Sequence, residues 1–180
     1  MCGILGIFNY FSNTQITHEI QEQLLKIQHR GQDSFGYYLN YKNFTQEIRE
    51  LGLIKTRKIL NSYKVALGHN RYATSYINTK NKVELIQPFK VTNIKLGTFI
   101  IVHNGNINNL ANVRNYFDLE SDSDIQLNDS QLLARILETS TESHIEKTLR
   151  LMMQNIKGIF NLLIYHENTD TLYAMKDKFG

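Results

Sequence analysis

Several features that define large classes of protein are missing from this chain. Its 180 residues include one cysteine, so no internal disulfide can form and a reducing compartment is expected. No apolar run reaches the ~20 residues that a membrane-spanning helix requires. The N-terminus also lacks the basic and then apolar stretches of a secretion signal. We therefore expect a cytoplasmic protein that does not associate with membranes.

Concentrated charge is missing too. The net charge is +3, and the Lys and Arg residues form no block of the kind that follows a phosphate backbone, so nucleic acid is not an expected partner. There is no internal repeat and no Gly/Ser-rich or Pro-rich linker. The chain length suits one domain, and a hydrophobic content of 42% is enough to bury a core. We expect a single domain over residues 1–180.

Hydrophobic periodicity predicts strands at both ends of the chain and in its middle. The expected strands are Gly3–Phe8, Phe35–Leu39, Phe44–Ile48, Val65–His69 and Thr98–Val102. A hairpin of Ile159–Tyr165 and Thr171–Met175 is expected around the turn residues 168–170.

Helices are predicted between these strands. The first would be capped by Thr17, carry Ile20, Leu24 and Ile27 on one face, and stop at Gly31. The others are Asn108–Phe117, Leu132–Leu137 with Asn128 or Asp129 as cap, and a helix from a capping box at Ser143–Glu146 to Gly158. This order predicts an α+β sandwich with helices packed on sheets, rather than regular βαβ alternation.

The single cysteine stands directly behind the initiator methionine. We expect Met1 to be removed because a small residue follows it, so that Cys2 would carry a free α-amine beside its thiol. The unperturbed pKa of an α-amine is about 7.7–8.0 and that of a thiol about 8.5. One residue could therefore hold a nucleophile and the base that takes its proton. Because a Met-Cys start also arises by chance, the other motifs have to decide whether Cys2 is a catalytic nucleophile.

Five short motifs occur in a fixed order along the chain. They are Met1–Ile4, His29–Ser34, Gly68–Thr74, Gln87–Phe89 and His103–Ile107. In this order they resemble the class II glutamine amidotransferases, and the second and third are most similar to the glutaminase domain of amidophosphoribosyltransferases. The closing segment Ala174–Gly180 is similar to the Arg-Asp-Pro-x-Gly segment of that domain. The resemblance implies an N-terminal-nucleophile hydrolase: an αββα sandwich of two stacked antiparallel sheets flanked by helices.

The resemblance also implies which residues release ammonia from L-glutamine. Cys2 would attack the side-chain amide, and the Asn104 side chain with the Gly105 backbone N–H would form the oxyanion hole. Each such donor can contribute on the order of 3–4 kcal/mol in the transition state. Gly105 suits this role because its N–H has no Cβ beside it to obstruct a substrate. Taken alone, however, residues 103–106 are more typical of a turn, where Asn-Gly is frequent.

Further residues would bind the amino-acid end of glutamine. Arg71 would hold the α-carboxylate, which a planar guanidinium grips better than lysine does, and Thr74 would add a hydroxyl to the same group. Asp129 would accept from the α-ammonium, although a plain helix N-cap is a competing role and both could hold. Arg30 and Asp33 would brace the loops around Cys2.

Neither a metal nor a cofactor is expected. His29, His69 and His103 lie inside the motifs, but their spacing matches no zinc signature and there is no second cysteine. Structural hydrogen bonding is the expected role of these histidines. No Gly-rich phosphate loop is present, so no nucleotide cofactor is implied.

The chain departs from the family pattern at Gln131, where Glu is usual, at Ser75, and at Lys176–Lys178. It also ends where an amidophosphoribosyltransferase would continue, so no acceptor phosphoribosyltransferase domain is expected within it. A fragment, a glutaminase that acts alone and a partner of a separate transferase chain all stay open, as does self-association. A catalytically idle glutamine-binding or protein-interaction module is the alternative to an enzyme.

Overall fold

The computed structural model describes residues 1–10, 19–41, 44–59, 63–72, 82–119 and 127–178. The chain divides into two compact units, Met1–Pro88 and Phe89–Gly180. Each unit has its own four-stranded antiparallel sheet and its own hydrophobic core. Two antiparallel sheets combined with helices confirm the predicted α+β class.

The sheet of the first unit has the order β1-β4-β2-β3. Its strands are β1 (Gly3–Phe8), β2 (Ser34–Tyr41), β3 (Phe44–Leu51) and β4 (Val65–Arg71). The two central strands, β2 and β4, are buried along nearly their whole length, as expected of strands covered on both faces. Helix α1 (Glu19–Lys26) packs on β1 and β4 through the fully buried Ile20 and Leu24. Burying each of these side chains stabilises the unit by about 1.5–3 kcal/mol.

The sheet of the second unit has the order β5-β6-β7-β8. Its strands are β5 (Phe89–Asn93), β6 (Gly97–Ile107), β7 (Gly158–His166) and β8 (Thr171–Lys176), and its helices are α2 (Leu110–Tyr116), α3 (Asp129–Thr139) and α4 (Ile145–Asn155). Side chains of α3 and α4 share one core cluster with Phe99, Ile101 and Ile107 of β6. Because side chains alternate along a strand, the even-numbered residues of β6 lie on the opposite face of the sheet.

Strand β6 extends well beyond its neighbour β5. β5 pairs with residues Gly97–Ile101 of β6, whereas β7 pairs with Phe99–Ile107. The last six residues of β6, 102–107, therefore have β7 on one side and no β5 partner on the other. We call these six residues the β6 overhang. It contains the motif His103–Ile107.

Most elements predicted from periodicity are confirmed. The structure contains the predicted strands in both sheets, the β7–β8 hairpin, and helices at α1, α2 and α3. β6 is longer than the predicted Thr98–Val102, so the His103–Ile107 motif is in a strand and the turn that this motif favours in isolation is not formed. Thr17, the predicted cap of the first helix, lies outside the described residues.

Two predicted helix stops are wrong. α1 ends at Lys26, a 3₁₀ helix follows at Gln28–Arg30, and Gly31 then adopts an extended conformation. α4 ends at Asn155, and Gly158 begins β7. In both places glycine serves the strand or loop that follows the helix, rather than the end of the helix itself.

The predicted capping box at the start of α4 is also wrong. The N-cap is His144, whose side chain makes no capping hydrogen bond. The buried residues Ile145, Leu149 and Met152 set where the helix begins. They place Ser143 one residue too early for its hydroxyl to cap the first turn.

Candidate functional site

Cys2 lies immediately before β1, with its side chain half-buried. Because Gly3 pairs with Asn70, the β1–β4 register brings Cys2 beside the end of β4. The backbone N–H of Tyr72 donates to Cys2 Sγ at 3.5 Å, and the thiol lies 3.7 Å from the Tyr72 carbonyl oxygen. These two contacts fix the sulfur at the end of the β1–β4 ladder.

The His29–Ser34 motif forms a loop that lies against the end of β4. A Cβ on Gly31 would stand 2.5 Å from the carbonyl carbon of Arg71 and 2.6 Å from the carbonyl oxygen of Asn70. Only glycine therefore allows the loop to approach β4 so closely. The N–H of Asp33 then donates to the Arg71 carbonyl oxygen at 3.1 Å.

Arg30 contacts the N-terminal segment from the same loop. Its Nη2 lies 3.9 Å from the sulfur of Met1, and its Cβ would be 3.2 Å from a Cβ built on Gly3. Arg30 thus touches the residues on either side of Cys2, while Asp33 touches β4. That these two residues brace the site stays a prediction.

Arg71 is the last residue of β4 and is half-buried. Its backbone is held from two directions, by pairing with Ser34 of β2 and by the hydrogen bond from Asp33. The side chain therefore starts from a fixed position, one residue before the Tyr72 backbone that contacts Cys2. Thr74 lies outside the described residues.

The backbone N–H of Gly105 points away from β7. In an antiparallel sheet the N–H and C=O of one residue point to the same side of its strand. Phe160, the partner of Gly105, uses both groups on its far side: its N–H donates to Asp177 Oδ2 at 2.6 Å and its C=O accepts from the Asp177 N–H at 3.0 Å. Gly105 and Phe160 are therefore a non-hydrogen-bonded pair. The Gly105 N–H is directed to the side of the β6 overhang that β5 does not cover.

Asp129 lies at this same edge of the overhang. Its Oδ2 accepts a hydrogen bond from the Ile107 N–H at 2.7 Å. Gly105 and Ile107 are two residues apart, so their N–H groups leave β6 on the same side, about 7 Å from one another. The carboxylate is therefore positioned next to the edge along which the Gly105 N–H points.

Gly105 is required by the packing of β6 on β7. Its φ is +157°, and a Cβ built on it would overlap the carbonyl oxygen of Ile159 and lie 2.6 Å from Phe160 Cα. The missing Cβ therefore makes room for the neighbouring strand, and that it also leaves the N–H open to a substrate stays a prediction. Asn104, the preceding residue, is half-buried and has its side chain on the face opposite α3.

Asn128, not Asp129, is the N-cap of α3. Its Oδ1 accepts from the Gln131 N–H at 2.9 Å, and Gln131 Oε1 accepts from the Asn128 N–H at 3.1 Å, which completes a capping box. Gln131 thus does here what the family's usual Glu could do. Because Asn128 caps the helix, the Asp129 carboxylate remains available to Ile107 and to a ligand, in a first turn that favours negative charge.

His103 connects the β6 overhang to α3 inside the core. Its ring is buried, and its Nδ1 lies 2.8 Å from Ser130 Oγ. Burial lowers the pKa of His103 from 6.5 to about 4, so the ring is neutral near pH 7. A neutral ring bonded to Ser130 holds the start of α3, including Asp129, against the overhang.

Each unit thus gathers some of the predicted site residues. At the end of β4, the first unit brings together Cys2, Arg30, Asp33 and Arg71. At the β6 overhang, the second unit brings together Asn104, Gly105 and Asp129. Sequence reasoning missed Tyr72, which acts through its backbone, and Ser130, whose pairing with His103 depends on how α3 packs on β6.

The other motif histidines occupy different surroundings. His69 is fully buried within β4, whereas His29 is exposed and has Nδ1 3.2 Å from the Lys26 carbonyl oxygen. Across the described ranges, no group of three or more His, Cys, Asp or Glu side chains is arranged to hold a metal ion. In the same part of the chain, no helix is both long and apolar enough to cross a membrane.

Two solved structures share this fold. The glutamine phosphoribosylpyrophosphate amidotransferase from B. subtilis has a TM-score of 0.74 over 97% of this chain and 37% of its own, at 22% identity. A structure described as the allosteric regulatory enzyme of purine biosynthesis has a TM-score of 0.70 over 89% of this chain and 34% of its own, at 24% identity. These likenesses confirm the fold that the motifs led us to expect.

The family follows from the sequence. Residues 71–180, more than half of the chain, match the family described as the glutamine amidotransferase domain. The chain therefore belongs to the glutamine amidotransferase domain family, as the order of its motifs indicates.

Its relatives include amidophosphoribosyltransferases from two organisms. The amidophosphoribosyltransferase of Staphylococcus aureus (strain Mu50) is 31% identical over 98% of this chain. That of Methanocaldococcus jannaschii is 28% identical over 100% of this chain. The alignments cover 35% and 38% of those two proteins, so the chain spans little more than a third of their length.

Proposed function

We propose that this chain carries out the glutaminase half-reaction of a glutamine amidotransferase, converting L-glutamine and water to glutamate and ammonia. The observation that carries the proposal is the arrangement at the end of β4. The thiol of Cys2 lies against the Tyr72 backbone, and Arg71, the proposed carboxylate clamp, immediately precedes Tyr72. A thiol and a residue that carries a guanidinium are thus neighbours at the end of β4, which supports a site for a substrate with an amide at one end and a carboxylate at the other.

The reaction begins with attack on the glutamine side chain. Once Met1 is removed, the α-amine of Cys2 takes the thiol proton and Sγ bonds to the amide carbon, while the carbonyl π pair moves to oxygen. The Gly105 N–H and the Asn104 amide donate to this oxyanion. The direction of the Gly105 N–H, toward the uncovered side of the β6 overhang, supports this role. Removing one such donor typically costs about 10²–10³-fold in kcat.

Collapse of the tetrahedral intermediate then releases ammonia. The carbon–nitrogen bond breaks, and the nitrogen leaves with the proton held by the Cys2 α-ammonium. The enzyme retains a γ-glutamyl thioester. Water attacks this thioester, the carbon–sulfur bond breaks, and glutamate leaves with the thiol restored.

The amino-acid end of glutamine is held by charged groups. Arg71 binds the α-carboxylate with its guanidinium, with the Thr74 hydroxyl on the same group, and Asp129 accepts from the α-ammonium. The Asn128–Gln131 capping box supports the last assignment, since it frees Asp129 from capping its own helix.

The reaction that uses the ammonia is assigned to a transferase and not to the glutaminase domain. The relatives are named amidophosphoribosyltransferases and are nearly three times as long as this chain. We assign residues 1–180 to one glutaminase domain. Its ammonia would be used by a phosphoribosyltransferase domain or a separate transferase chain.

The proposal is tested by intact mass before and after treatment with the glutamine-analogue electrophile 6-diazo-5-oxo-norleucine. We expect the mass of Met1 to be missing and a single stoichiometric adduct to form on Cys2. Cys2→Ala should form no adduct and hydrolyse no glutamine while its thermal unfolding is unchanged. Arg71→Lys should still react, but with a KM for glutamine raised at least about tenfold, because the bidentate grip on the carboxylate is lost.

A retained Met1, or a Cys2 that resists the reagent, would favour the idle glutamine-binding or interaction module instead. Isothermal titration with glutamine then separates these alternatives, since a binding module would still take up the amino acid and an interaction module would not.

A further inference from the structure

A row of polar side chains crosses three strands of the second unit beside Asn104. In the β6–β7 register Asn104 pairs with Asn161, and in the β7–β8 register Asn161 pairs with Lys176. Directly paired residues present their side chains on the same face of a sheet. All three therefore lie on the face opposite α3 and α4. We call Asn104, Asn161 and Lys176 the amide row.

The ladder places these side chains within reach of one another. Phe160 turns its N–H and C=O toward Asp177 of the segment after β8, so the next residue, Asn161, turns its own toward β6. Asn104 and Asn161 are thus a hydrogen-bonded pair, with Cβ atoms about 5 Å apart. Neither amide makes a side-chain hydrogen bond to another residue in the ranges that the structure describes, so rotation about χ2 can join them.

The side-chain amide of Asn104 has to be held in one orientation, and a side chain without a hydrogen-bond partner is free to adopt either. An asparagine amide carries an acceptor, Oδ1, and a donor, Nδ2, on opposite sides of one planar group. An oxyanion needs the donor, so the acceptor has to be turned away from it. The Gly105 N–H leaves β6 on the side away from β7, and Asn161 stands on the β7 side. A donor from Asn161 would therefore hold Oδ1 on the correct side.

We propose that Asn161 is a positioning residue, which donates from its Nδ2 to Asn104 Oδ1 and so directs Asn104 Nδ2 toward the oxyanion. This assignment rests on the proposed function, since it explains how the Asn104 donor is aimed.

Kinetics of three variants test the row. Asn161→Leu removes the partner of Oδ1 at similar volume, and we expect kcat to fall about tenfold with KM for glutamine within about twofold of wild type. Asn161→Asp offers only acceptors, so it attracts Asn104 Nδ2 and should lower kcat further. Asn106→Asp is the matched charge control, because it adds a carboxylate on the same face, two residues along β6 and about 7 Å from Asn104. It should retain at least about ten times the kcat of Asn161→Asp.

Proton exchange of the side-chain amides gives a readout that needs no activity. In ¹⁵N-labelled wild type, the Nδ2 protons of Asn161 should exchange with water more slowly than those of Asn104, because they are bonded within the row. Asn161→Leu should shift the Asn104 Nδ2 resonances, and Asn106→Leu should shift them much less. Each resonance pair is assigned by its loss in the corresponding variant.

Equal exchange rates for the two amides, or a wild-type kcat in Asn161→Leu, would overturn the role given to Asn161. A wild-type chain that neither hydrolyses glutamine nor reacts with 6-diazo-5-oxo-norleucine would instead overturn the proposed function. The exchange rates would still decide how Asn104 is oriented.

Discussion

The Asp129 carboxylate stabilises the fold through one hydrogen bond and is also the proposed partner of the substrate α-ammonium. Its Oδ2 accepts from the Ile107 N–H, while the proposed function assigns its charge to the glutamine α-ammonium. Asp129→Asn keeps an acceptor for Ile107 but loses the charge. We expect its KM for glutamine to rise at least about tenfold, with the free energy of unfolding changed by less than about 1 kcal/mol.

Asp129→Ala removes the acceptor as well, and should also lower the free energy of unfolding by about 1–2 kcal/mol. Steady-state kinetics and urea unfolding of the two variants separate the contributions. An unchanged KM in Asp129→Asn would restrict this residue to a structural role.

His103 predicts a specific pH dependence of stability. Its pKa is lowered to about 4 in the folded chain, whereas an unfolded chain titrates near 6.5. Between these values the unfolded state binds the extra proton, so stability is full above pH 6.5 and is lost as the pH falls toward 4. From pH 7.5 to pH 5 this loss amounts to about 2 kcal/mol.

Urea unfolding at these two pH values checks the expectation. His103→Gln should lose stability less steeply than wild type, by about the same 2 kcal/mol, because glutamine does not titrate. Equal slopes for His103→Gln and wild type would mean that His103 does not drive the pH dependence.

At the scale of elements, α4 begins without a side-chain cap. Its N-cap, His144, has the extended backbone of a cap, with φ −137° and ψ 135°, but makes no capping hydrogen bond. His144→Ser should supply the missing acceptor and raise the free energy of unfolding by about 0.5–1 kcal/mol. Ser143→Ala, at the position that the sequence pattern favours, should change it by less than about 0.5 kcal/mol. Thermal unfolding of the two variants identifies the true cap, and the opposite ranking would restore Ser143.

Periodicity predicted the elements that carry strong patterns and failed where tertiary pairing decides. The apolar run at Phe35–Leu39 and the spacing of Ile20 and Leu24 report burial directly, and these elements were located correctly. β5 has five residues and too short an alternation to be recognised. The His103–Ile107 motif reads as a turn because its composition is that of a turn. Only pairing with β7 across nine residues makes it a strand.

The same limit applies to the candidate site. The residue types could be assigned from the motifs, because a thiol, a guanidinium and a carboxylate each suggest their own chemistry. The directions in which these groups point could not be predicted from the motifs. That the Gly105 N–H leaves the sheet on the uncovered side, and that Asn128 relieves Asp129 of capping, follow from register and helix phase, which no single motif encodes.

For the molecule as a whole, every role that the proposed function gives to a residue belongs to the glutamine half of an amidotransferase reaction. We therefore expect the 180-residue chain to release ammonia and glutamate in a 1:1 ratio, with no consumption of added phosphoribosyl pyrophosphate. Coupled assays for ammonia and glutamate, run with and without that compound, measure this. Consumption of phosphoribosyl pyrophosphate would show that these residues also perform the acceptor reaction.

The alternation of directions along the β6 overhang also restricts how this segment can change through insertions and deletions. Adding or removing one residue between Ile101 and Gly105 would reverse every later direction. The Gly105 N–H would turn into the ladder with β7, and the side chain of Asn104 would turn into the core against α3. Changes of length in the overhang should therefore survive only as pairs of residues. Related sequences should accordingly align through this strand without single-residue gaps.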